Sequence, residues 1–252
     1  MTIAEIHGKI SGSGSNLSDR LEDLLTSDVF GPLRYLPFAE GLQLILREAR
    51  LYSSDCDERL GERLIVGDPE NAPVVCFWPK LQNSEPDVVI GYGNHLLLVE
   101  AKYLSGKSGE SQLAREFSDL MTCRGPFSER SLVYLTAHRE MPKGDIENSY
   151  IENSYNAVRE RHPEYAQNTY WLSWFDIHRV IENEIQQIED EIKRMTKNQT
   201  SEKISKKCKK LILEDIKSLL YKKGFRGFEG FSGLKLQEVE EISERIFYQR
   251  ST

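Results

Sequence analysis

Three charged residues in one stretch of the sequence could carry out chemistry together: Asp87, Glu100 and Lys102. Because side chains alternate between the two faces of a β-strand, Glu100 and Lys102 point to the same side of one strand. If the chain reverses before Glu100, Glu100 lies opposite Asp87 with Cβ atoms about 5 Å apart, and the two like charges need a cation between them. Mg²⁺ prefers carboxylate oxygens and takes its remaining ligands from water and phosphate. The three residues therefore suit metal-assisted hydrolysis of a phosphodiester.

The residues between Asp87 and Glu100 have the pattern of a β-hairpin. Two short β-prone runs flank a glycine-containing segment, and glycine supplies the positive φ that a tight reversal requires. With Gly93-Asn94 as the two-residue loop, antiparallel pairing sets Val88 opposite Val99. The same register predicts that Asp87 lies opposite Glu100.

The motifs Pro86-Asp87 and Glu100-Ala101-Lys102 resemble the signature of the PD-(D/E)xK, or restriction-endonuclease-like, nuclease superfamily. The resemblance implies an α/β fold with an αβββαβ core, in which helices flank a mixed sheet. It also implies that Asp87, Glu100 and Ala101 bind Mg²⁺ or Mn²⁺, and that Lys102 positions or deprotonates the attacking water. The implied function is metal-dependent cleavage of nucleic acid, DNA in the first instance, with a role in defence.

Two further catalytic residues follow from the same resemblance. Glu22, four residues before a threonine on a predicted helix, is similar to the upstream acid of several branches of the superfamily, with Glu40 and Glu48 as alternatives. Gln112 is similar to the glutamine that follows the lysine motif and orients the site. The tyrosine that often comes four residues later is Glu116 here, which is a departure from the pattern.

Basic residues outside this motif are candidates for contacts with nucleic acid. The net charge of −7 requires any such contact to come from a local basic face. The candidates are Lys107, Arg115, Lys206, Lys207 and Lys210. Two other functions stay open: cleavage of RNA instead of DNA, and a non-catalytic module that binds a partner or self-associates through its carboxy-terminal helices.

The composition is ordinary for a soluble globular protein, and we expect a cytoplasmic location. No stretch of the 252 residues approaches the roughly 20 apolar residues of a membrane span, and the amino terminus lacks a signal-sequence pattern. The four cysteines and five histidines have no metal-ligand spacing, and His95, at the hairpin turn, is expected to be exposed.

The resemblance implies a nuclease-like core at 1–175, and hydrophobic periodicity predicts a helical extension at 176–252, in which two helices form an antiparallel pair. The predicted helices are an amino-terminal one around 19–25, then 38–52, 111–121, 151–161, one from Trp174 onward, and 204–222. The predicted strands are 63–66, 74–78, 88–90, 96–99, 132–136 and 169–172.

Overall fold

The computed structural model describes residues 3–7, 9, 17–54, 56–64, 72–103, 111–151, 162–196 and 198–225. Its strands are β1 (Arg50–Leu51), β2 (Val74–Phe77), β3 (Val88–Tyr92), β4 (His95–Ala101), β5 (Glu129–Thr136) and β6 (Thr169–Ser173). Its α-helices are α1 (Ile3–Ile6), α2 (Leu17–Leu33), α3 (Leu42–Leu46), α4 (Gln112–Thr122), α5 (Lys143–Ile151), α6 (Tyr165–Asn168), α7 (Trp174–Arg194) and α8 (Thr200–Lys222).

The six strands form one mixed sheet in the order β1-β6-β5-β4-β3-β2. Strand β5 runs parallel to both of its neighbours, whereas the pairs β1–β6, β2–β3 and β3–β4 are antiparallel. Parallel neighbours need a crossover connection, and α4 provides the one between β4 and β5. The predicted α/β class with a mixed sheet and flanking helices is confirmed.

The β3–β4 hairpin has the predicted register. Val88 pairs with Val99, and Tyr92 pairs with His95 across the two-residue loop. Gly93 adopts a φ of 57°, the left-handed conformation that a side chain would disfavour. Strand β3 thus begins directly after Asp87, and β4 ends directly before Lys102, so both residues lie at the same end of the sheet.

The two faces of β4 are covered by different helices. Leu97 and Val99 belong to a hydrophobic cluster that includes residues of α2, α3, α7 and α8. Leu96 and Leu98, which alternate with them, pack with Phe117 and other residues of α4. The end of β4 is therefore reached by helices from both sides of the sheet.

The carboxy-terminal helices α7 and α8 pack against each other in antiparallel orientation. Ion pairs join Glu182 to Lys217 at 2.7 Å near one end and Glu191 to Lys206 at 2.7 Å near the other. Ile181 and Ile216 of the two helices lie in the same buried cluster as the sheet. No helix in the described part of the chain is long and apolar enough to cross a membrane.

Several predicted elements differ from the structure. The predicted helix 38–52 is a 3₁₀ turn (Phe38–Glu40) and the short helix α3, because Arg50 and Leu51 pair with β6 instead. The residues that helical spacing predicts as its apolar face are nevertheless buried: Phe38, Leu42, Ile45, Ala49 and Tyr52. Arg63 and Leu64 are not in a strand, and the rest of that predicted strand, with residues 152–161 of the predicted helix, lies outside the described residues.

Two predictions about exposure are wrong. His95 is 3% exposed, because the main chain of β4 continues through it and its ring is covered. Helical spacing predicts an apolar side of α8 made of Cys208, Leu211, Ile212, Ile216 and Leu219. In the structure Cys208 and Leu211 are exposed, because Leu213, Ile216 and Leu220 form the buried face.

Candidate functional site

Asp87 is held by the chain at both carboxylate oxygens. The main-chain N–H of Ala101 donates to Oδ2 at 2.7 Å, and the indole N–H of Trp78 donates to Oδ1 at 3.1 Å. The main-chain N–H of Trp78 also donates to the Asp87 carbonyl at 3.0 Å. Each carboxylate oxygen can accept more than one hydrogen bond or ligand, so Asp87 is oriented without being saturated.

Trp78 adopts a backbone conformation that is rare for a bulky residue. Its φ is 46°, in the left-handed region where a Cβ atom is crowded by the backbone. Trp78 directly follows β2, and its side chain is buried. The strained main chain turns the indole toward Asp87, which is the kind of local cost that structures carry at functional positions.

Lys102 links carboxylates from two different elements. Its Nζ lies 2.7 Å from Oε1 of Glu100 and 3.0 Å from Oε1 of Glu22 on α2. The second oxygen of Glu22 accepts the main-chain N–H of Tyr103 at 2.8 Å. All three charged side chains are buried. The structure therefore brings the predicted residues Glu22, Glu100 and Lys102 together.

The alternative upstream acids lie elsewhere. Glu40 pairs with Lys209 at 3.1 Å, and its side chain is about half exposed. Glu48 forms an ion pair with Arg59. Of the three candidates, Glu22 is the acid that contacts Lys102.

Gln112, the first residue of α4, connects two acids through one amide nitrogen. Its Nε2 donates to Oε1 of Glu100 and, at 2.9 Å, to Oε1 of Glu116, one helical turn later. Glu116 is 1% exposed and Glu100 is 2% exposed. Position 116, where the sequence departs from the superfamily pattern, thus adds another carboxyl group to the site.

The acidic side chains of the site lie close together and are shielded from water, and both conditions raise their pKa values. Burial, and then repulsion from Glu100, raises the pKa of Asp87 well above its usual range. Burial, and then repulsion from Glu116, does the same for the pKa of Glu100. Burial also raises the pKa of Glu116 to about 7, although the hydrogen bond from Gln112 lowers it. These directions show that added positive charge would stabilise the site.

Lys102 stays protonated in this environment. Burial alone would lower its pKa, but the negative charges of Glu100, Asp87 and Glu22 outweigh burial and raise it. An ammonium held in this way can orient a neighbouring group or offset negative charge. A protonated lysine is poorly suited to remove a proton. Its environment therefore favours positioning of the attacking water over deprotonation of that water.

The main chain at Lys102 is fixed by residues of β5 and α7. Its N–H donates to the Leu135 carbonyl at 2.7 Å, and its carbonyl accepts the indole N–H of Trp174 at 3.1 Å. Phe225, which follows α8, stacks on Trp174 with ring centroids 6.0 Å apart. The segment after α8 and the first residue of α7 therefore help to hold the main chain at Lys102 in place.

The predicted metal ligands fit a hard divalent cation. Ala101 can offer only its main-chain carbonyl, so Asp87 and Glu100 are the side chains in that set. Oε2 of Glu100 is buried and has no hydrogen-bond partner, which leaves it open to a cation or a proton. Among the described residues, no three His, Cys, Asp or Glu side chains are grouped to hold one ion. Two carboxylates suffice for Mg²⁺, which keeps several waters.

The predicted nucleic-acid contacts are not gathered into one basic face. Lys206 and Lys210 form ion pairs with Glu191 and Glu189 of α7, whereas Lys207 is exposed. Arg115 is partly buried on α4, and Lys107 lies outside the described residues.

Sequence reasoning missed the residues that hold the loop before Asp87. Asp119 of α4 is buried and accepts hydrogen bonds from the main-chain N–H and the side chain of Asn83 and from Ser84. Trp78, Glu116 and Asp119 belong to no motif. The signal for Glu116 was its spacing of four from Gln112 on one helix, which places both on the same face.

Comparison of the chain with protein-family models, with curated proteins and with solved structures finds no match.

Proposed function

We propose that this protein is a metal-dependent nuclease that hydrolyses phosphodiester bonds in DNA, with a restriction-endonuclease-like core. The observation that carries the proposal is the convergence of Glu22, Asp87, Glu100 and Lys102 at one end of the sheet. Lys102 contacts Glu22 and Glu100. Asp87 accepts a hydrogen bond from the main-chain N–H of Ala101, the residue between Glu100 and Lys102. Burial of these four charged side chains costs free energy that apolar packing does not offset. A buried charged cluster of this kind is typical of a functional site.

In this proposal Asp87, Glu100 and the Ala101 carbonyl hold Mg²⁺ or Mn²⁺. When bound, the ion supplies Lewis acidity toward the phosphate oxygens of the substrate. The hydrogen bond from Ala101 and that from Trp78 fix the Asp87 carboxylate before the ion arrives. Preorganisation of this kind lowers the cost of binding.

The remaining residues orient the reactants. Lys102, kept as an ammonium by its carboxylate neighbours, offsets negative charge that develops on the phosphate and orients the attacking water. Glu22 holds Lys102 in place from α2. Gln112 fixes the rotamer of Glu100 through its amide.

Cleavage of supercoiled plasmid tests the proposal. We expect nicked and linear products with Mg²⁺, none with chelator, and loss of activity for Lys102→Ala and Asp87→Asn. Lys217→Ala, which removes a surface ion pair on α8, is the matched control and should cleave normally. Cleavage that persists with chelator or in Lys102→Ala would refute the proposal. Parallel reactions with single-stranded and structured RNA decide between DNA and RNA as substrate.

A non-catalytic assembly module is the second candidate function. The observation in its favour is that lysines of α8 are paired with acids of α7, so they do not form a free basic face. Self-association through these helices would appear as a concentration-dependent mass in sedimentation. Together with absent cleavage, that result would favour the module.

We further propose that the protein acts in the cytoplasm. Its four cysteines are all free thiols in the structure. Thiols of this kind stay reduced in that compartment.

A further inference from the structure

A row of aromatic and basic side chains lies beside the proposed site and has no role in the proposed reaction. Its members, which we call the aromatic row, are in spatial order Lys223, Tyr103, Phe225, Phe175 and Arg139. The Nζ of Lys223 lies 5.7 Å from the centroid of the Tyr103 ring. The Cζ of Arg139 lies 4.0 Å from the centroid of the Phe175 ring. Between them, the Phe225 ring centroid lies 5.3 Å from that of Tyr103 and 5.2 Å from that of Phe175. A cation therefore stands at each end of three contiguous rings.

The sheet places the aromatic row at the edge that carries the proposed site. Strands β4, β5 and β6 are parallel neighbours, so their carboxyl ends lie along one edge. Tyr103 follows β4, Arg139 follows β5 and Phe175 follows β6. Neighbouring strands are about 4.8 Å apart, so β6 lies about 10 Å from β4. The indole of Trp174, next to Phe175, donates to the Lys102 carbonyl at 3.1 Å. Ligands of open α/β sheets bind outside the carboxyl ends of the strands.

The aromatic row is buried at its centre and reaches solvent at both ends. Phe225 is 2% exposed. The two outer rings and Lys223 are partly exposed, and Arg139 is exposed. Beyond Phe175 the row borders a cavity of about 260 Å³, which Arg139 and Phe175 line together with Arg179. The packed central ring fixes the outer two, so the surface is formed before a ligand arrives.

Acids near the aromatic row are themselves close to other positive charges. Asp176 and Glu182 line the cavity, and each forms an ion pair with a basic residue outside the row, at 3.0 Å and 2.7 Å respectively. At the other end, the charge of Lys223 lowers the pKa of Asp28, although burial raises it. The surface therefore keeps local positive charge, which attracts phosphate groups even though the whole chain is acidic.

We propose that the aromatic row binds an unpaired strand of DNA and leads it to the proposed site. The inference rests on the proposed function and names the class of its substrate as single-stranded DNA. Aromatic rings and arginine stack on the faces of unpaired bases, and lysine contacts the phosphates. A duplex keeps its bases stacked on one another and is bound largely through its phosphates, for which the rings are not needed.

Fluorescence anisotropy with the full-length protein in EDTA tests the inference without relying on cleavage. A labelled oligothymidine should bind at least about tenfold more tightly than a blunt duplex of the same length, because one stacked base contributes a factor of about 5 to 150. Arg139→Ala and Lys223→Ala should each weaken binding of the single strand by about fivefold or more. Arg139→Lys, which keeps the charge but loses the planar group, should lie between wild type and Arg139→Ala.

Lys193→Ala is the matched control. It removes one positive charge from an exposed ion pair with Asp190, on the same helix as Phe175. At 1.5 Å per residue, about 27 Å of helix separate Lys193 from Phe175. Lys193→Ala should leave the affinity for the single strand unchanged, and circular dichroism should show that every variant is folded. Photocrosslinking with 5-iodouracil in the oligonucleotide should label the peptides that contain Tyr103 or Phe175.

Three results would overturn the inference. The first is equal affinity for duplex and single strand, and the second is unchanged binding in both Arg139→Ala and Lys223→Ala. The third is a crosslink confined to other parts of the chain. Tighter binding of single-stranded RNA than of single-stranded DNA would overturn the choice of DNA as the ligand.

The outcomes separate this inference from the proposed function. If plasmid is cleaved but the single strand is not preferred, the nuclease proposal stands and the role of the aromatic row is wrong. If no substrate is cleaved but Arg139→Ala loses affinity for the single strand, the aromatic row stands as a binding surface and the nuclease proposal fails.

Discussion

Replacing Glu116 by glutamine should raise the stability of the metal-free protein near pH 8 and change it little near pH 5. Burial raises the pKa of the Glu116 carboxyl from 4.5 to about 7. Between these values the folded protein binds a proton that the unfolded chain has released, so the stability contribution of this group falls as the pH rises. With about 1.4 kcal/mol for each pH unit, ionised Glu116 costs the fold about 3 kcal/mol above pH 7.

The neutral variant avoids that cost. A glutamine at position 116 keeps an oxygen that accepts from Gln112, and its amide can donate to Glu100, whose pKa is itself raised by Glu116. Removal of the repulsion between the carboxylates of Glu116 and Glu100 also raises the stability of the variant. For a chain of about this size, a gain of about 3 kcal/mol corresponds to a rise of roughly 6–12 °C in Tm.

Urea unfolding in EDTA, followed by tryptophan fluorescence, measures the effect. Trp171 and Trp174 are fully buried and report loss of the core. Asp119→Asn provides the contrast, because its carboxylate already accepts three hydrogen bonds and its replacement should destabilise at both pH values. A Glu116→Gln variant that is no more stable than wild type near pH 8, or equally stabilised at both pH values, would refute the reasoning.

Three other changes have expected results of known direction. Lys102→Met should lower the free energy of unfolding by about 3–5 kcal/mol near pH 8, because it leaves its buried carboxylate partners uncompensated, as urea unfolding would show. Trp78→Phe removes the N–H that bonds Asp87 and should cost about 1.5–3 kcal/mol and weaken Mn²⁺ binding by calorimetry. Lys217→Ala should change Tm little, since an exposed pair such as that with Glu182 contributes less than about 1 kcal/mol.

The hairpin could be predicted from the sequence because its determinants are local. The two-residue loop at Gly93 fixes the register, and the register brings Asp87 beside the end of β4. Glu22 and Gln112 are distant in sequence from the hairpin. Their prediction as site residues rested only on the resemblance. Composition gave no means of choosing Glu22 over other helix acids.

Other features depended on tertiary contacts that no local pattern reveals. The positions 38, 42, 45, 49 and 52 are apolar with helical spacing and are all buried, yet the helix ends at Leu46 because the next residues pair with β6. The left-handed backbone of Trp78 has no sequence signal, since propensities disfavour it. The lysines of α8 indicate a basic surface from sequence alone, whereas in the structure Lys206 and Lys210 form ion pairs with acids of α7.

The hydrogen bonds around Lys102 also have a consequence for synthesis and folding. They join residues separated by 80 positions (Glu22 to Lys102), 72 positions (Lys102 to Trp174) and 120 positions (Tyr103 to Lys223). Contacts between distant parts of a chain close large loops and form slowly. A chain emerging from the ribosome therefore cannot assemble the complete site until α8 has been made.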